Sequence, residues 1–178
     1  MLRCGACLKI PPPLDQCLVA VAYGYPWSQL IADFKFHDQS GLARSLATLL
    51  RAAPWVKPAL DAAKMVLPMP ISPQRLRERG YNQAHLLARA LGRAKTQTHI
   101  LLRVLDTPAQ HTLKREQRLT ALSQAFAVDP LQAQQLKGAR VVLVDDVMTT
   151  GASLHAAAHV LRTAGVKHIT GLVFARTE

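Results

Sequence analysis

Two adjacent carboxylates followed by a short hydroxyl-rich segment are the residues of this sequence best suited to chemistry. Asp145 and Asp146 come directly after four branched apolar residues. The segment that follows them contains Thr149, Thr150, Gly151, Ala152 and Ser153. Carboxylates accept hydrogen bonds from a vicinal diol or bind a divalent cation through water, whereas hydroxyls and a close backbone suit a phosphate. The stretch therefore predicts a ligand with a phosphate, a diol and a metal-bound group, such as ribose 5-phosphate or its 1-pyrophosphate.

The elements that must position these residues are a buried strand and a helix. Residues 141–144 are all apolar, a pattern typical of a strand buried on both faces of a parallel sheet. From Leu154 the apolar residues recur at helical spacing as far as Gly165, which is suited to ending a helix. The segment at 149–153 would then lead into a helix N-terminus, where unpaired N–H groups attract anions.

Further apolar patterns predict the remaining elements. Short apolar runs predict strands at residues 18–23, 65–69, 100–104 and 168–174, and helical spacing predicts helices at 27–36, 42–50 and 84–91. Pro54 and Pro58 predict a connector around Trp55, and the tryptophans and phenylalanines are expected in the core. The order of elements predicts an α/β fold, a mostly parallel twisted sheet flanked by helices, with the ligand at the carboxyl ends of the strands.

Composition restricts the class of protein and of partner. The 178 residues are 49% hydrophobic and 19% charged, which is typical of a globular chain of one domain. No apolar run approaches the roughly 20 residues that span a bilayer, and the N-terminus lacks a signal-peptide core, so we expect a cytoplasmic protein with no membrane span. A net charge of +11 favours anionic partners such as phosphorylated metabolites, nucleic acid or an acidic surface.

Residues 141–153 resemble the phosphoribosyl-pyrophosphate (PRPP) signature of type I phosphoribosyltransferases at every position: four apolar residues, two acids, two apolar residues and Thr-Thr-Gly-Ala-Ser. The resemblance implies that Asp145 and Asp146 hold the ribose hydroxyls of PRPP. It also implies that residues 149–153 hold the 5'-phosphate and that Mg²⁺ accompanies the pyrophosphate.

A second block, at residues 70–83, resembles the ComF/GntX group of that superfamily, which is associated with DNA uptake during competence and, in some bacteria, with gluconate utilisation. The resemblance implies a pyrophosphate loop. Its residues would be Pro70, Ile71 and Ser72, with Arg75 nearby. A loop after a strand that carries Arg75, Arg77 and Arg79 could face a pyrophosphate, because guanidinium groups pair well with phosphate oxygens. The three arginines could instead form a solvated basic face at the start of a helix, and both interpretations stay open.

A basic segment after residue 104 is long enough for a flap that excludes water from a bound ester. In the ComF/GntX group the matching segment is a flexible loop, and Gln110, Arg115 and Arg118 fit its pattern. The group often has an asparagine a few residues after the arginine, where this chain has Thr120 and Ala121. That departure counts against a catalytic role of the loop, but it leaves the predicted fold unchanged.

The cysteines are too few for a complete zinc site. Cys4 and Cys7 form a Cys-x-x-Cys half-site, and Cys17 suits a small core residue, whereas structural zinc takes four ligands. The opening of the chain resembles the end of the zinc ribbon of the ComF/GntX group. Three interpretations stay open: a remnant, a Zn²⁺ site completed by another chain, or a start assigned too late. The resulting division is a ribbon remnant at 1–16 and a phosphoribosyltransferase-like domain at 17–178.

Two hypotheses of function follow. The first is Mg²⁺-dependent transfer of a phosphoribosyl group from PRPP to an acceptor that the sequence does not identify. The second is a non-catalytic protein of DNA uptake or competence, which would bind single-stranded DNA or competence proteins through its positive surface. Salt-dependent DNA affinity and release of pyrophosphate distinguish the two. The sequence does not indicate an oligomeric state.

Overall fold

The computed structural model describes residues 11–105 and 124–177. The strands within these residues are β1 (Gln16–Ala22), β2 (Met65–Pro68), β3 (Leu101–Arg103), β4 (Phe126–Val128), β5 (Arg140–Met148) and β6 (His168–Arg176). The α-helices are α1 (Trp27–Phe36), α2 (Leu42–Ala52), α3 (Val56–Ala62), α4 (Pro73–Arg79), α5 (Gln83–Gly92) and α6 (Ala152–Thr163). Short 3-10 helices occur at Arg93–Lys95 and Ala133–Leu136.

The main sheet has the strand order β1-β6-β5-β2, and every pair in it is parallel. Val141 of β5 is in register with Met65 on one side and Ile169 on the other. β3 and β4 form a separate antiparallel pair. A mostly parallel sheet flanked by helices is the α/β fold that the order of apolar patterns predicted.

The four consecutive apolar residues of β5 separate into the two faces of the sheet. Val141 and Leu143 belong to a core cluster that contains the inner face of α6. Val142 and Val144 belong to a second cluster, formed with α1, α2, α3 and α5. Because successive side chains of a strand point to opposite faces, a strand covered on both sides is apolar at every position. This confirms the interpretation of residues 141–144.

Helix α3 replaces the connector that the prolines predicted, so that prediction was wrong. Pro58 lies in the first turn of α3, where a missing backbone N–H costs no intrahelical hydrogen bond. Trp55 is also not a core residue, because half of its surface is exposed. The aromatic prediction holds for Phe34 and Phe174, which are fully buried, and fails for Phe36, which is 66% exposed.

The residues before β1 pack against the domain. Leu14 is buried in the first core cluster, and Arg162 of α6 pairs with Asp15. Cys17 is half-buried, and its sulfur lies 3.8 Å from that of Met148, in agreement with the core position predicted for it. Cys4 and Cys7 lie outside the described residues. No helix in the described ranges is long and apolar enough to cross a bilayer.

Candidate ligand site at the carboxyl edge of the sheet

The two carboxylates lie within β5 and not beyond its end. β5 runs to Met148, four residues further than the apolar run predicted, and Asp145 is in register with Val173 of β6. The side chain of Asp145 accepts a hydrogen bond from the backbone N–H of Asp146 at 2.9 Å, and that of Asp146 accepts one from Val147 at 2.6 Å. Both carboxylates are therefore held by their own strand at its carboxyl end.

A lysine from α1 reaches these carboxylates. The Nζ of Lys35 lies 3.2 Å from Oδ2 of Asp146, and both side chains are largely buried, at 19% and 11% exposed. The ion pair shows that Asp146 faces the side of the sheet covered by α1. It also gives Asp146 a compensating charge, which a buried carboxylate requires.

The electrostatic environment favours a neutral Asp145. Removal from water and the adjacent charge of Asp146 raise the pKa of Asp145 from its ordinary 3.8 to about 8, while the charge of Lys35 opposes the rise. Two neighbouring carboxylates at one edge resist full ionisation, because like charges disfavour each other. Near neutral pH the pair therefore carries closer to one negative charge than two, and it can both donate and accept hydrogen bonds.

The segment after β5 forms a tight turn into α6. Gly151 has a φ of 78°, in the left-handed region, and is the residue directly before the helix. A Cβ at this position would meet His155 Nε2 and Met148 Sδ at 3.4 Å. Thr149 and Thr150 are exposed, and Ser153 lies in the first turn of α6. The predicted phosphate-binding residues thus surround a helix N-terminus, a position that favours anions.

The turn after β2 lies beside the end of β5. The N–H of Met69 donates to the carbonyl of Val144 at 2.8 Å, and the side chain of Asn82 donates to the carbonyl of Met69 at 3.0 Å. These two bonds fix the start of the segment that contains Pro70, Ile71 and Ser72 next to the residue before Asp145. The structure therefore brings the predicted pyrophosphate-loop residues and the carboxylates to one edge.

Arg75, Arg77 and Arg79 lie on helix α4 and not on a loop. Ser72 accepts from the N–H of Arg75 at the start of α4, and Gly80, with a φ of 74°, ends it. These are standard helix signals, an N-cap serine followed by proline and a left-handed glycine. The basic run had obscured them.

The three arginines differ in their surroundings. Arg75 and Arg77 are exposed. The guanidinium of Arg79 lies 5.2 Å from the ring centre of Phe36 and donates to Gln83 at 3.3 Å. Burial lowers the pKa of Arg79, and the charges of Asp146 and Asp145 oppose this. Arg79 is therefore close enough to the carboxylates to influence them, whereas Arg75 and Arg77 face water.

Sequence reasoning did not single out Lys35 or Asn82 as site residues. The contact of Lys35 with Asp146 has no local signal in the sequence, because the two residues belong to elements that are distant along the chain. Gln110, Arg115 and Arg118 lie outside the described residues, so their predicted roles in a flexible loop stay predictions. Across the parts of the chain that the structure describes, no group of three or more His, Cys, Asp or Glu side chains is placed to hold a metal ion.

Comparisons with known proteins show the family of the chain. Residues 79–177 match the family model of the phosphoribosyl transferase domain. The chain is 37% identical over 175 residues to the competence protein F of Haemophilus influenzae, and the match covers 94% of this chain and 75% of that protein. It is 32% identical over 185 residues to the DNA utilization protein YhgH of Escherichia coli strain K12, with 99% of this chain and 78% of that protein covered.

More distant proteins match as well. The competence protein ComFC of Bacillus subtilis is 32% identical over 143 residues, which are 80% of this chain and 56% of that protein. A purine phosphoribosyltransferase of Pyrococcus horikoshii Ot3 covers 81% of this chain and 85% of its own, with a TM-score of 0.42 and 16% identity, too low to add to the assignment. On the strength of the domain match and of the competence protein F and YhgH relatives, the chain belongs to the ComF family of the phosphoribosyltransferase superfamily.

Proposed function

We propose that this chain binds PRPP, or another ligand with a ribose 5-phosphate group, at the carboxyl edge of its main sheet. Asp145 and Asp146 would hold the ribose hydroxyls. Thr149, Thr150, Gly151, Ala152 and Ser153 would hold the 5'-phosphate at the N-terminus of α6. Pro70, Ile71, Ser72 and Arg75 would lie against the pyrophosphate.

The observation that carries the proposal is the anchoring of the β2 turn to β5. The bond from Met69 to Val144 places that turn beside the carboxylates, and β5 itself continues into the Gly151 turn. A ligand with a diol in the middle and a phosphate at each end requires three such groups at one edge. No single motif of the three would support so specific a ligand.

The residues of this edge suit phosphoribosyl transfer by positioning. Two carboxylates that fix the ribose hold C1 in place for an incoming nucleophile, while N–H groups and cations stabilise the departing pyrophosphate. Orientation of this kind requires no covalent intermediate with the protein. The acceptor is a nucleophile whose class the described residues do not define.

Mg²⁺ enters this proposal as a companion of the ligand. Carboxylate oxygens suit Mg²⁺, but Asp146 is already paired with Lys35, and the described residues contain no metal-ligating cluster. Oxygens of the pyrophosphate would have to supply much of the coordination, with Asp145 and Asp146 acting through water. When bound, the ion would neutralise charge on the leaving pyrophosphate. Zn²⁺ would require Cys4 and Cys7 together with ligands from elsewhere.

Calorimetric titration tests the proposal. PRPP with Mg²⁺ is titrated into the wild-type chain and into the variant Asp145→Asn/Asp146→Asn, which keeps the shape of both side chains. We expect binding to the wild type and a loss of at least about a hundredfold in the variant, because the negative charge carried by the pair strengthens its hydrogen bonds to the ribose hydroxyls and two neutral amides lack that charge. If the folded wild type does not bind, the proposal is wrong. Release of pyrophosphate in the presence of candidate nucleophiles then tests the transferase.

A non-catalytic role in DNA uptake is the second candidate. It is favoured by the names of two relatives, competence protein F and DNA utilization protein, and by the exposed arginines Arg75 and Arg77. In this case the PRPP-type pocket would serve as a sensor, and the positive surface would bind single-stranded DNA or a competence protein. Binding of PRPP without release of pyrophosphate, for any nucleophile, would favour this role.

A further inference from the structure

We propose that Lys35 of α1 is a positioning residue of the phosphoribosyl site, which holds Asp146 in place and offsets its charge so that a polyanionic ligand can bind beside two carboxylates. The inference rests on the proposed function. It adds to the site a residue that is distant in sequence from all of the site's motifs. The residue acts through Asp146, and no direct contact with the ligand is required of it.

The position of Lys35 is fixed by the residues around it. Phe34, one residue earlier on α1, is fully buried, and its carbonyl accepts a hydrogen bond of 2.6 Å from the hydroxyl of Tyr81. The rings of Phe34 and Tyr81 are also in contact, with centres 5.9 Å apart. The last turn of α1 is therefore tied to the connection between α4 and α5, and Lys35 extends from an anchored backbone.

The ion pair leaves the other groups of the site available. Oδ2 of Asp146 faces Lys35, and Oδ1 accepts the N–H of Val147. Oδ1 of Asp145 accepts the N–H of Asp146. A carboxylate has about four lone-pair positions, so a ribose hydroxyl can still donate to each side chain.

A compensating cation is needed because of the ligand's own charge. PRPP carries several negative charges, and uncompensated carboxylates at hydrogen-bonding distance would repel them. Lys35 is about four-fifths buried, so bulk salt screens its charge less than that of an exposed lysine. Arg79 also places positive charge near Asp146, but its guanidinium is stacked on Phe36 and bonded to Gln83, whereas Lys35 lies at ion-pair distance from Asp146.

The test compares Lys35→Met, Lys35→Arg and a control, with titration of Mg²⁺ and PRPP and, separately, of inorganic phosphate. Lys35→Met removes the charge at similar length, and we expect its affinity for PRPP to fall by about tenfold, the effect of one hydrogen bond to a charged group. Lys35→Arg should recover most of that loss. Inorganic phosphate, which has less charge than PRPP and no ribose for Asp146 to hold, should lose clearly less affinity than PRPP does. The control Lys57→Met removes an exposed lysine that pairs with Asp61 on α3, and it should bind PRPP as the wild type does.

Each outcome decides a different claim. If the wild type binds PRPP and Lys35→Met binds it equally well, Lys35 has no part in positioning and the inference is wrong. If Lys35→Met weakens phosphate as much as PRPP, its effect does not act through the hold of Asp146 on the ribose, and the inference is wrong as well. If the wild type does not bind PRPP, the proposed function fails and this inference fails with it. Should Lys35→Met not fold, Lys35→Gln, which can still donate a hydrogen bond, takes its place.

Discussion

At the scale of single residues, the carboxylate pair is the most unusual feature of the molecule. Asp146 is buried and paired with Lys35, and Asp145 has a pKa raised to about 8 by burial and by the charge of Asp146. A carboxyl group in such surroundings costs stability when it is ionised. The site thus combines good ligand groups with a local cost in free energy, which is typical of functional sites.

The raised pKa predicts how stability varies with pH. Below pH 3.8 Asp145 is protonated in the folded and the unfolded chain, and its stabilising contribution is fully present. As the pH rises towards 8, the unfolded chain releases this proton and the folded chain retains it, so the free energy of unfolding falls. Asp145→Asn should remove this part of the decline. Urea denaturation between about pH 5 and pH 8 measures it.

Asp15 provides the matched control for that measurement. Burial raises the pKa of Asp15, but hydrogen bonds from Ile169 and Arg162 outweigh burial and lower this pKa below 3.8. Its contribution is therefore present above that pH and lost as the pH falls through the folded-state pKa. Because the imidazole of His168 lies 3.6 Å from Asp15, the comparison is made in a His168→Gln background, where Asp15→Asn should leave the slope between about pH 5 and pH 8 unchanged. An equal change of slope in both variants would contradict the interpretation of Asp145.

At the scale of elements, α1 connects the core with the site within three residues. Phe34 is buried in the second core cluster, and Lys35 pairs with Asp146. Phe36 is exposed, and its ring lies near the guanidinium of Arg79. Adjacent positions on this helix thus serve packing, charge compensation and surface contact in turn. Loss of packing at Phe34 would displace Lys35 as well, because both depend on the same turn of α1.

Two phenylalanines of α1 allow a direct comparison. We expect Phe34→Ala to lower the free energy of unfolding by about 3–5 kcal/mol, because it leaves a cavity in a closed core. Phe36→Ala should cost less than about 1 kcal/mol, since an exposed ring loses mainly its contact with a cation. Urea denaturation of the two variants measures both values. Similar losses would show that the last turn of α1 is not anchored as described.

Local patterns were sufficient to predict the elements that carry the site but not the contacts between elements. The strand at 141–144, the helix from Leu154 and the parallel sheet follow from apolar spacing alone. The ion pair of Lys35 with Asp146 does not, because the two residues belong to elements far apart in the chain, and a lysine on a helix is usually a solvated residue. The extension of β5 through two carboxylates was missed for a similar reason. Pairing with β6 holds these acidic residues in extended conformation against their low strand propensity.

Helix α4 illustrates the opposite case, in which local signals for a helix were present but were not used to decide between two interpretations. Ser72, Pro73 and Gly80 delimit a helix by rules that apply to any sequence. The run of arginines between them left both a ligand-binding loop and the basic face of a helix open, and the structure has the helix. In the structure the helix orients them differently, so that Arg75 and Arg77 face water while Arg79 turns towards Phe36.

At the scale of the whole molecule, charge is the dominant property. The chain has 22 lysines and arginines against 11 aspartates and glutamates. A surplus of this size attracts polyanions of any sequence, and the exposed Arg75 and Arg77 lie next to the candidate site. The dependence of affinity on salt concentration therefore distinguishes nonspecific attraction of nucleic acid from binding in a specific pocket.

That response gives a prediction for the DNA-binding role. If single-stranded DNA binds, its affinity should fall by at least about tenfold between about 50 and 200 mM salt, through release of counterions. Arg75→Gln/Arg77→Gln should lower the slope of log affinity against log salt by about 1.4, or about 0.7 for each lost contact with a single strand, and Arg44→Gln on α2 should leave it unchanged. Fluorescence anisotropy of a labelled oligonucleotide measures these slopes. A slope unchanged by the double variant would place the DNA elsewhere on the molecule.

The order of the strands in the main sheet predicts how a shortened fragment of the protein would behave. β1 and β2 form the two sides of the main sheet, and β5 and β6 lie between them. The phosphoribosyl transferase match begins at Arg79, so a recombinant fragment limited to it would lack both outer strands. Each inner strand would then present a bare row of N–H and C=O groups, a template for pairing with another copy. Such a fragment would be prone to aggregate, although it contains the entire signature.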